Sequence, residues 1–128
     1  MDNKRIGSIG EELAVSYLRK EGYKILDRNY IPQIISGPRV GEIDIVALKG
    51  KIVVFVEVKT SLEGSLIEPE ERVNITKQKK LVKSAETYIL EKDLPPDQQW
   101  QIDIISLIIN QSGKKVNMKH LKNTICQE

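Results

Sequence analysis

Two acidic residues and one lysine stand in the most apolar part of the sequence. Asp44 lies between Ile43 and Ile45, and Glu57 and Lys59 alternate with valines in the neighbouring run. Carboxylates are costly to remove from water unless a cation or hydrogen bonds compensate. Carboxylate oxygens are also the ligands that Mg²⁺ and Mn²⁺ prefer. The pattern therefore predicts either a divalent-metal site or a cluster of ion pairs.

Both interpretations use the same side chains. In the metal-site hypothesis, Asp44, Glu57 and the backbone carbonyl of Val58 bind Mg²⁺ or Mn²⁺, and Lys59 positions or deprotonates the attacking water or stabilises the phosphate charge. In the structural alternative, Lys59 forms a cross-strand salt bridge with Asp44 or Glu42 at the end of an ordinary hairpin. An acid followed at a variable distance by Glu-x-Lys is a short pattern, so the spacing alone leaves both open.

A hairpin has to position these side chains. The segments 42–48 and 52–59 are rich in β-branched residues and predict two antiparallel strands. A two-residue type II′ turn at Gly50-Lys51 pairs residues whose numbers sum to 101. Asp44 then faces Glu57, with their Cβ atoms about 5 Å apart. Facing carboxylates repel each other, so we expect that neutralising either one stabilises the metal-free fold. Lys59 is expected to be their only nearby cation.

Two helices are expected to pack against the hairpin. The segment 10–20 carries an apolar stripe at helical spacing, and Gly22 follows it as an expected C′ residue. A second stripe follows Thr76, the expected N-cap, and ends near Lys92, before a Pro-Pro pair.

Three further segments complete the predicted architecture. The segments 23–30 and 101–109 are predicted strands, and 115–125 is predicted as a strand, alone or with a short helix. The expected fold class is α/β, with a mixed sheet of four or five strands, the hairpin at its centre and two main helices flanking it. A chain of 128 residues is expected to form a single domain, 1–128.

Composition excludes several classes of site. One cysteine, Cys126, and one histidine, His120, exclude a disulfide framework and multi-cysteine or His-rich zinc sites. We assign both residues structural roles. The longest apolar run, 52–56, is too short to cross a membrane, and the first ten residues lack an apolar signal-peptide core. A cytoplasmic protein without a membrane segment is expected.

The net charge of +2 means that a nucleic-acid surface would need local clustering of charge. Lys79, Lys80 and Lys83 lie on one face of the second helix and could contact phosphates, although a solvated helix face has the same composition. Gln78 is either a surface residue or a polar group held over the hairpin end.

Glu11 and Glu12 are expected in the first turn of the first helix. Acids in that position usually complement the helix dipole. Glu11 is the better candidate for function, because it flanks the buried stripe of that helix.

Three motifs carry a resemblance to a known family. They are Gly-Glu-Glu-Leu-Ala with a following Tyr-Leu in 10–18, Gly-Glu-Ile-Asp-Ile-Val-Ala in 41–47 and Val-Phe-Val-Glu-Val-Lys-Thr in 54–60. Together they resemble the YraN-like family of small bacterial proteins. That family in turn resembles archaeal Holliday-junction resolvases and the restriction-endonuclease-like PD-(D/E)xK fold. The segment 31–38 looks like an insertion relative to the family.

The resemblance implies a set of site residues. The catalytic centre would consist of the metal-site acids Glu11, Asp44 and Glu57 and the catalytic lysine Lys59. Gln78 loosely matches a polar position of the second helix, and Arg39 matches the arginine of the link that precedes the second strand.

These observations predict a metal-dependent, nuclease-like protein that acts on DNA, including branched or structured DNA. Cutting both strands of a junction would require a homodimer, since the chain holds one predicted site. The alternative is a non-catalytic nucleic-acid-binding or interaction module on the same fold, and a small structural protein with a salt-bridged hairpin is a third candidate. The intact acids favour the enzyme, because a pure binder has no reason to hold uncompensated carboxylates near a polyanion.

Overall fold

The computed structural model describes residues 1–33, 41–65 and 75–124. Its elements in chain order are α1 (Asn3–Lys20), β1 (Lys24–Tyr30), β2 (Ile43–Lys49), β3 (Ile52–Leu62), α2 (Ile75–Glu91), β4 (Trp100–Ile109) and β5 (Lys115–Leu121). The strands form one five-stranded sheet in the order β1-β2-β3-β4-β5. The β3–β4 pair is parallel and the other three pairs are antiparallel. This mixed sheet, with its central hairpin and two helices, confirms the expected restriction-endonuclease-like α/β class.

The hairpin has the predicted register. Ile45 pairs with Val56, and each following pair up to Lys49 and Ile52 keeps the same sum of residue numbers. Gly50 takes a φ of +60°, as the first central residue of a type II′ turn requires and as glycine adopts at little cost. The paired ladder ends at Ile45 and Val56, so the two strands stop pairing immediately before the two acids.

The two helices cover opposite faces of the sheet. A core cluster that includes Leu18 and Val54 lies under α1, and a second cluster that includes Phe55 and Leu81 lies under α2. Alternation along β3 places Glu57 on the same face as Phe55. The acidic end of the hairpin therefore lies beneath the first turn of α2.

Helix α1 begins seven residues earlier than the sequence predicts, at Asn3, with Asp2 as its N-cap. The carboxylate of Asp2 accepts a hydrogen bond of 2.8 Å from the backbone N–H of Arg5. Glu11 and Glu12 consequently lie in the middle of the helix, so the expectation that they occupy its first turn and complement its dipole is wrong.

The close approach of α1 to β3 depends on Gly10. A Cβ atom built on Gly10 would lie 1.8 Å from Oγ1 of Thr60, so no larger residue fits without movement of the helix. At the other end, Gly22 has a φ of +89° and follows the C-cap as predicted. The backbone N–H of Tyr23 donates to the carbonyl of Leu18 at 2.9 Å, which closes the Schellman motif expected of such a glycine.

The remaining boundaries differ from the prediction by a few residues. Helix α2 already includes Ile75, so Thr76 lies inside the helix and is not its N-cap. β5 ends at Leu121, and no helix follows it up to residue 124. Most of the segment 31–38, and Cys126, lie outside the described residues. Within the described ranges, neither helix combines the length and the apolar character needed to cross a membrane.

Candidate active site

The end of the hairpin is held by a side chain instead of a backbone pair. The backbone N–H of Val58 donates a hydrogen bond of 2.8 Å to Oδ2 of Asp44. The parity of the sheet explains this contact. The N–H of Val53 bonds to the carbonyl of Gln99, so the odd-numbered residues of β3 face β4, and the even-numbered Val58 faces β2. The carbonyl of Val58 points to the same side, towards Asp44.

Asp44 is a carboxylate in an unfavourable environment. Burial and the charge of Glu57 raise its pKa from the ordinary 3.8 to about 7, although the hydrogen bond from Val58 acts in the opposite direction. The charges of Glu11 and Glu42 raise the pKa further. A cation bound at Asp44 would relieve this destabilisation.

Glu57 differs from Asp44 because it has cationic partners. Only 5% of Glu57 is exposed, and its Oε1 lies 3.1 Å from Nζ of Lys59 and 3.1 Å from Nζ of Lys77. Lys77 comes from the first turn of α2. The expectation that Lys59 is the only nearby cation is therefore wrong. Lys77 precedes the buried Leu81 by four residues and extends the buried stripe of the helix, and this spacing was the signal available in the sequence.

The two acids share a cavity of about 220 Å³, which we call the acidic pocket. Its lining residues are Gly41, Glu42, Asp44, Glu57, Lys77, Lys80 and Leu81. Lys59 instead lines a larger cavity of about 480 Å³ between the end of β3 and the first turns of α1. Burial and the neighbouring ammonium of Lys77 lower the pKa of Lys59, against the effect of Glu57. Lys59 and Lys77 thus approach Glu57 from two different cavities.

Glu11 does not line the acidic pocket. Its carboxylate accepts a hydrogen bond of 3.0 Å from Nδ2 of Asn29 and lies 3.5 Å from the guanidinium of Arg28. Its charge still reaches Asp44, whose pKa it helps to raise. In the part of the chain that the structure describes, no three Asp, Glu, His or Cys side chains group as metal ligands. A metal-binding role for Glu11 stays a prediction.

The donor set of the acidic pocket suits a hard divalent cation. Asp44 and Glu57 offer carboxylate oxygens, and the carbonyl of Val58 points to the side of β3 on which Asp44 lies. Mg²⁺ is commonly bound by only one or two carboxylates, with water and substrate phosphates as its other ligands. Two acids therefore fit Mg²⁺ or Mn²⁺, whereas the set lacks the thiolate and imidazole ligands typical of zinc sites.

Residues 10–107 match the family described as Uncharacterised protein family UPF0102. The chain belongs to this family. Its membership confirms the YraN-like resemblance that the three motifs indicated. A UPF0102 protein of Dictyoglomus thermophilum is 40% identical over 124 residues, which cover 96% of this chain and 98% of the relative. A UPF0102 protein of Alkaliphilus oremlandii is 40% identical over 121 residues, which cover 94% of this chain and 97% of the relative.

A solved structure with a related outline is the FdxN element excision controlling factor protein from Anabaena variabilis. It covers 87% of this chain and 98% of its own, with a TM-score of 0.39 and 13% sequence identity.

The lysines proposed to contact DNA lie on the outer side of α2. Lys79, Lys80 and Lys83 are exposed, and Lys80 also lines the acidic pocket. Helical spacing places the other two further from the sheet, so the three form an arc that starts at the pocket. Gln78 is half-buried at the first turn, and Arg39 lies outside the described residues.

A second polar cluster, which the sequence did not predict, lies under α1. Asp103 is fully buried, and its Oδ2 lies 2.7 Å from Nε2 of His120. Nδ1 of His120 lies 2.7 Å from the hydroxyl of Tyr17. Gln101 and the backbone N–H of Asn123 donate to the other oxygen of Asp103. These bonds compensate the buried carboxylate, which accords with a structural role for His120.

Proposed function

We propose that the protein is a divalent-metal-dependent endonuclease that hydrolyses phosphodiester bonds of DNA. The observation that carries this proposal is the acidic pocket, where the destabilised carboxylate of Asp44 and the buried carboxylate of Glu57 line one cavity. The Gly-Glu-Ile-Asp and Val-Glu-Val-Lys motifs, which resemble those of restriction-endonuclease-like nucleases, support the same assignment.

Each residue has a distinct role in the proposed reaction. Asp44, Glu57 and the carbonyl of Val58 would hold Mg²⁺ or Mn²⁺, which when bound activates water and neutralises charge on the scissile phosphate. Lys59 has a lowered pKa, so its amine can accept a proton more readily than an ordinary lysine and can orient the attacking water. The arc of Lys79, Lys80 and Lys83 would hold the neighbouring phosphates.

We infer branched or structured DNA as the substrate class from the resemblance to junction resolvases. Paired cuts on two strands need two acidic pockets related by a two-fold axis, so this activity would require a homodimer. A monomer, free and on DNA, would restrict the proposal to single-strand nicking.

The second candidate function is a nucleic-acid-binding module without cleavage. The pairing of Glu57 with two lysines favours it, because these contacts already neutralise one of the two acids. Metal-independent DNA binding would then be the whole activity.

A cleavage screen with matched variants separates the two candidates. Duplex, single-stranded, flap and four-way DNA would be incubated with Mg²⁺ or Mn²⁺ and with the parent protein, Asp44→Asn, Glu57→Gln or Lys59→Ala. We expect the parent to cleave at least one substrate and each variant to lose on the order of 10²-fold or more in rate. DNA binding without cleavage, and without any change on adding metal, would establish the binding module instead.

A further inference from the structure

The position of Lys77 in the acidic pocket has a consequence for metal entry. Its Nζ lies 3.1 Å from Oε1 of Glu57, and its side chain lines the same cavity as Asp44. Burial acts to lower the pKa of Lys77, but its contact with Lys59 and the charges of Glu57 and Asp44 raise it above the ordinary value. Lys77 is thus a charged ammonium beside both carboxylates proposed as metal ligands.

Two ammonium groups on one carboxylate oxygen leave no favourable place for a third positive charge. Like charges a few ångströms apart repel strongly where water is largely excluded. A divalent ion bound by Glu57 would lie beside both Lys59 and Lys77. One of the two lysines therefore has to withdraw when the ion binds.

Lys77 is the lysine that can withdraw. Its side chain is 37% exposed, whereas the Lys59 side chain is 14% exposed. Lys77 also reaches Glu57 through the acidic pocket, while Lys59 reaches it from the larger cavity on the other side. The first turn of α2 lets the long Lys77 side chain rotate outwards without disturbing the sheet.

We propose that Lys77 is a built-in competitor of the divalent ion: its ammonium occupies the acidic pocket until the ion displaces it towards the pocket mouth. The inference rests on the proposed metal site and adds an exchange between an internal cation and an external one. At the pocket mouth, the displaced ammonium lies where a DNA phosphate would approach, so metal binding would expose a positive group for the substrate.

Calorimetric titration with Mn²⁺ alone tests this exchange without any cleavage assay. The Lys77→Gln variant removes the competing charge and should bind Mn²⁺ about tenfold more tightly than the parent, or better, as expected for losing a unit charge next to a divalent ion. The Lys77→Arg variant keeps the charge and should bind Mn²⁺ no more tightly than the parent. Circular dichroism would verify that both variants are folded.

Lys80→Gln is the matched control, because Lys80 belongs to the same helix and lines the same cavity. It removes the same net charge without removing a contact to Glu57, and we expect its Mn²⁺ affinity to change less than about threefold. Comparing the two variants separates direct competition from the general reduction in positive charge.

The outcomes distinguish this inference from the proposed function. Tighter Mn²⁺ binding by Lys77→Gln alone supports the inference, including when the parent itself shows no measurable binding. If the parent binds Mn²⁺ and Lys77→Gln binds equally or more weakly, the exchange is refuted while the metal site stands. If neither protein binds Mn²⁺, both the exchange and the metal-dependent function are refuted.

Discussion

Asp44→Asn should stabilise the metal-free protein, and the gain should depend on pH. The folded state raises the pKa of Asp44 to about 7, so the folded protein holds a proton that the unfolded chain releases near pH 4. Between these values the folded state binds more protons, and the free energy of unfolding falls as the pH rises. Asparagine does not titrate, and its amide oxygen can still accept the hydrogen bond from Val58.

The size of the effect follows from the pKa of Asp44. The rise from 3.8 to about 7 spans about three pH units. At about 1.4 kcal/mol per unit, the upper limit of the gain is about 4 kcal/mol above pH 7. We expect about 2–4 kcal/mol at pH 8 and almost none at pH 4, where Asp44 is protonated in the folded protein.

Urea unfolding followed by circular dichroism, with a chelator at pH 4.5, 6 and 8, would measure this difference. The reasoning fails if the parent and Asp44→Asn show the same pH dependence, or if the variant is the less stable protein at pH 8.

Glu57→Gln provides the contrast within the same pocket. The facing carboxylates suggested that neutralising either acid is stabilising, but Glu57 is paired with Lys59 and Lys77. Removing its charge leaves two neighbouring ammonium groups without their shared partner, so we expect a loss of about 1–3 kcal/mol. Opposite signs for the two variants in the same unfolding experiment would verify the unequal distribution of cations.

Two further predictions concern α1 and α2. Gly10→Ala should lower the free energy of unfolding by about 1–3 kcal/mol in urea titrations, because its Cβ would overlap Thr60; Gly7→Ala, with no atom within 4 Å of its Cβ, should instead be neutral or stabilise by up to about 1 kcal/mol. If both variants behave alike, the close approach is not what requires glycine. Charge reversal of the α2 arc should weaken duplex binding and flatten the salt dependence of log affinity by about three, one for each phosphate contact. Fluorescence anisotropy would compare the α2 set with a control set of exposed lysines: Lys79, Lys80 and Lys83 against Lys114, Lys115 and Lys122. Equal losses for the two sets would remove α2 from the interface.

The hairpin was predictable because its register depends on local geometry. A glycine at the first position of a two-residue turn determines every cross-strand pair up to Ile45 and Val56. The beginning of α1 was not predictable in this way. Its first turns contain Gly7 and Gly10, which are poor helix formers, and they are helical because Ile6 is buried and Gly10 packs on β3.

The electrostatics of the site were only partly predictable. Asp44 and Glu57 face each other through the hairpin register, which is a local property. Lys77 reaches Glu57 only because the parallel β3–β4 connection returns α2 over the end of the sheet. A long-range contact of this kind leaves no mark in the spacing of the acids themselves.

The bond between Tyr17 and His120 joins positions 103 residues apart in the chain. Closing so large a loop costs entropy that local structure cannot offset, so the contact forms after the sheet between its partners has assembled. Opening α1 would break the far end of the chain of bonds that reaches buried Asp103, and detaching β5 would break its near end. The first helix and the last strand are thereby coupled into one cooperative unfolding unit, although elements near the ends of a chain commonly fray independently.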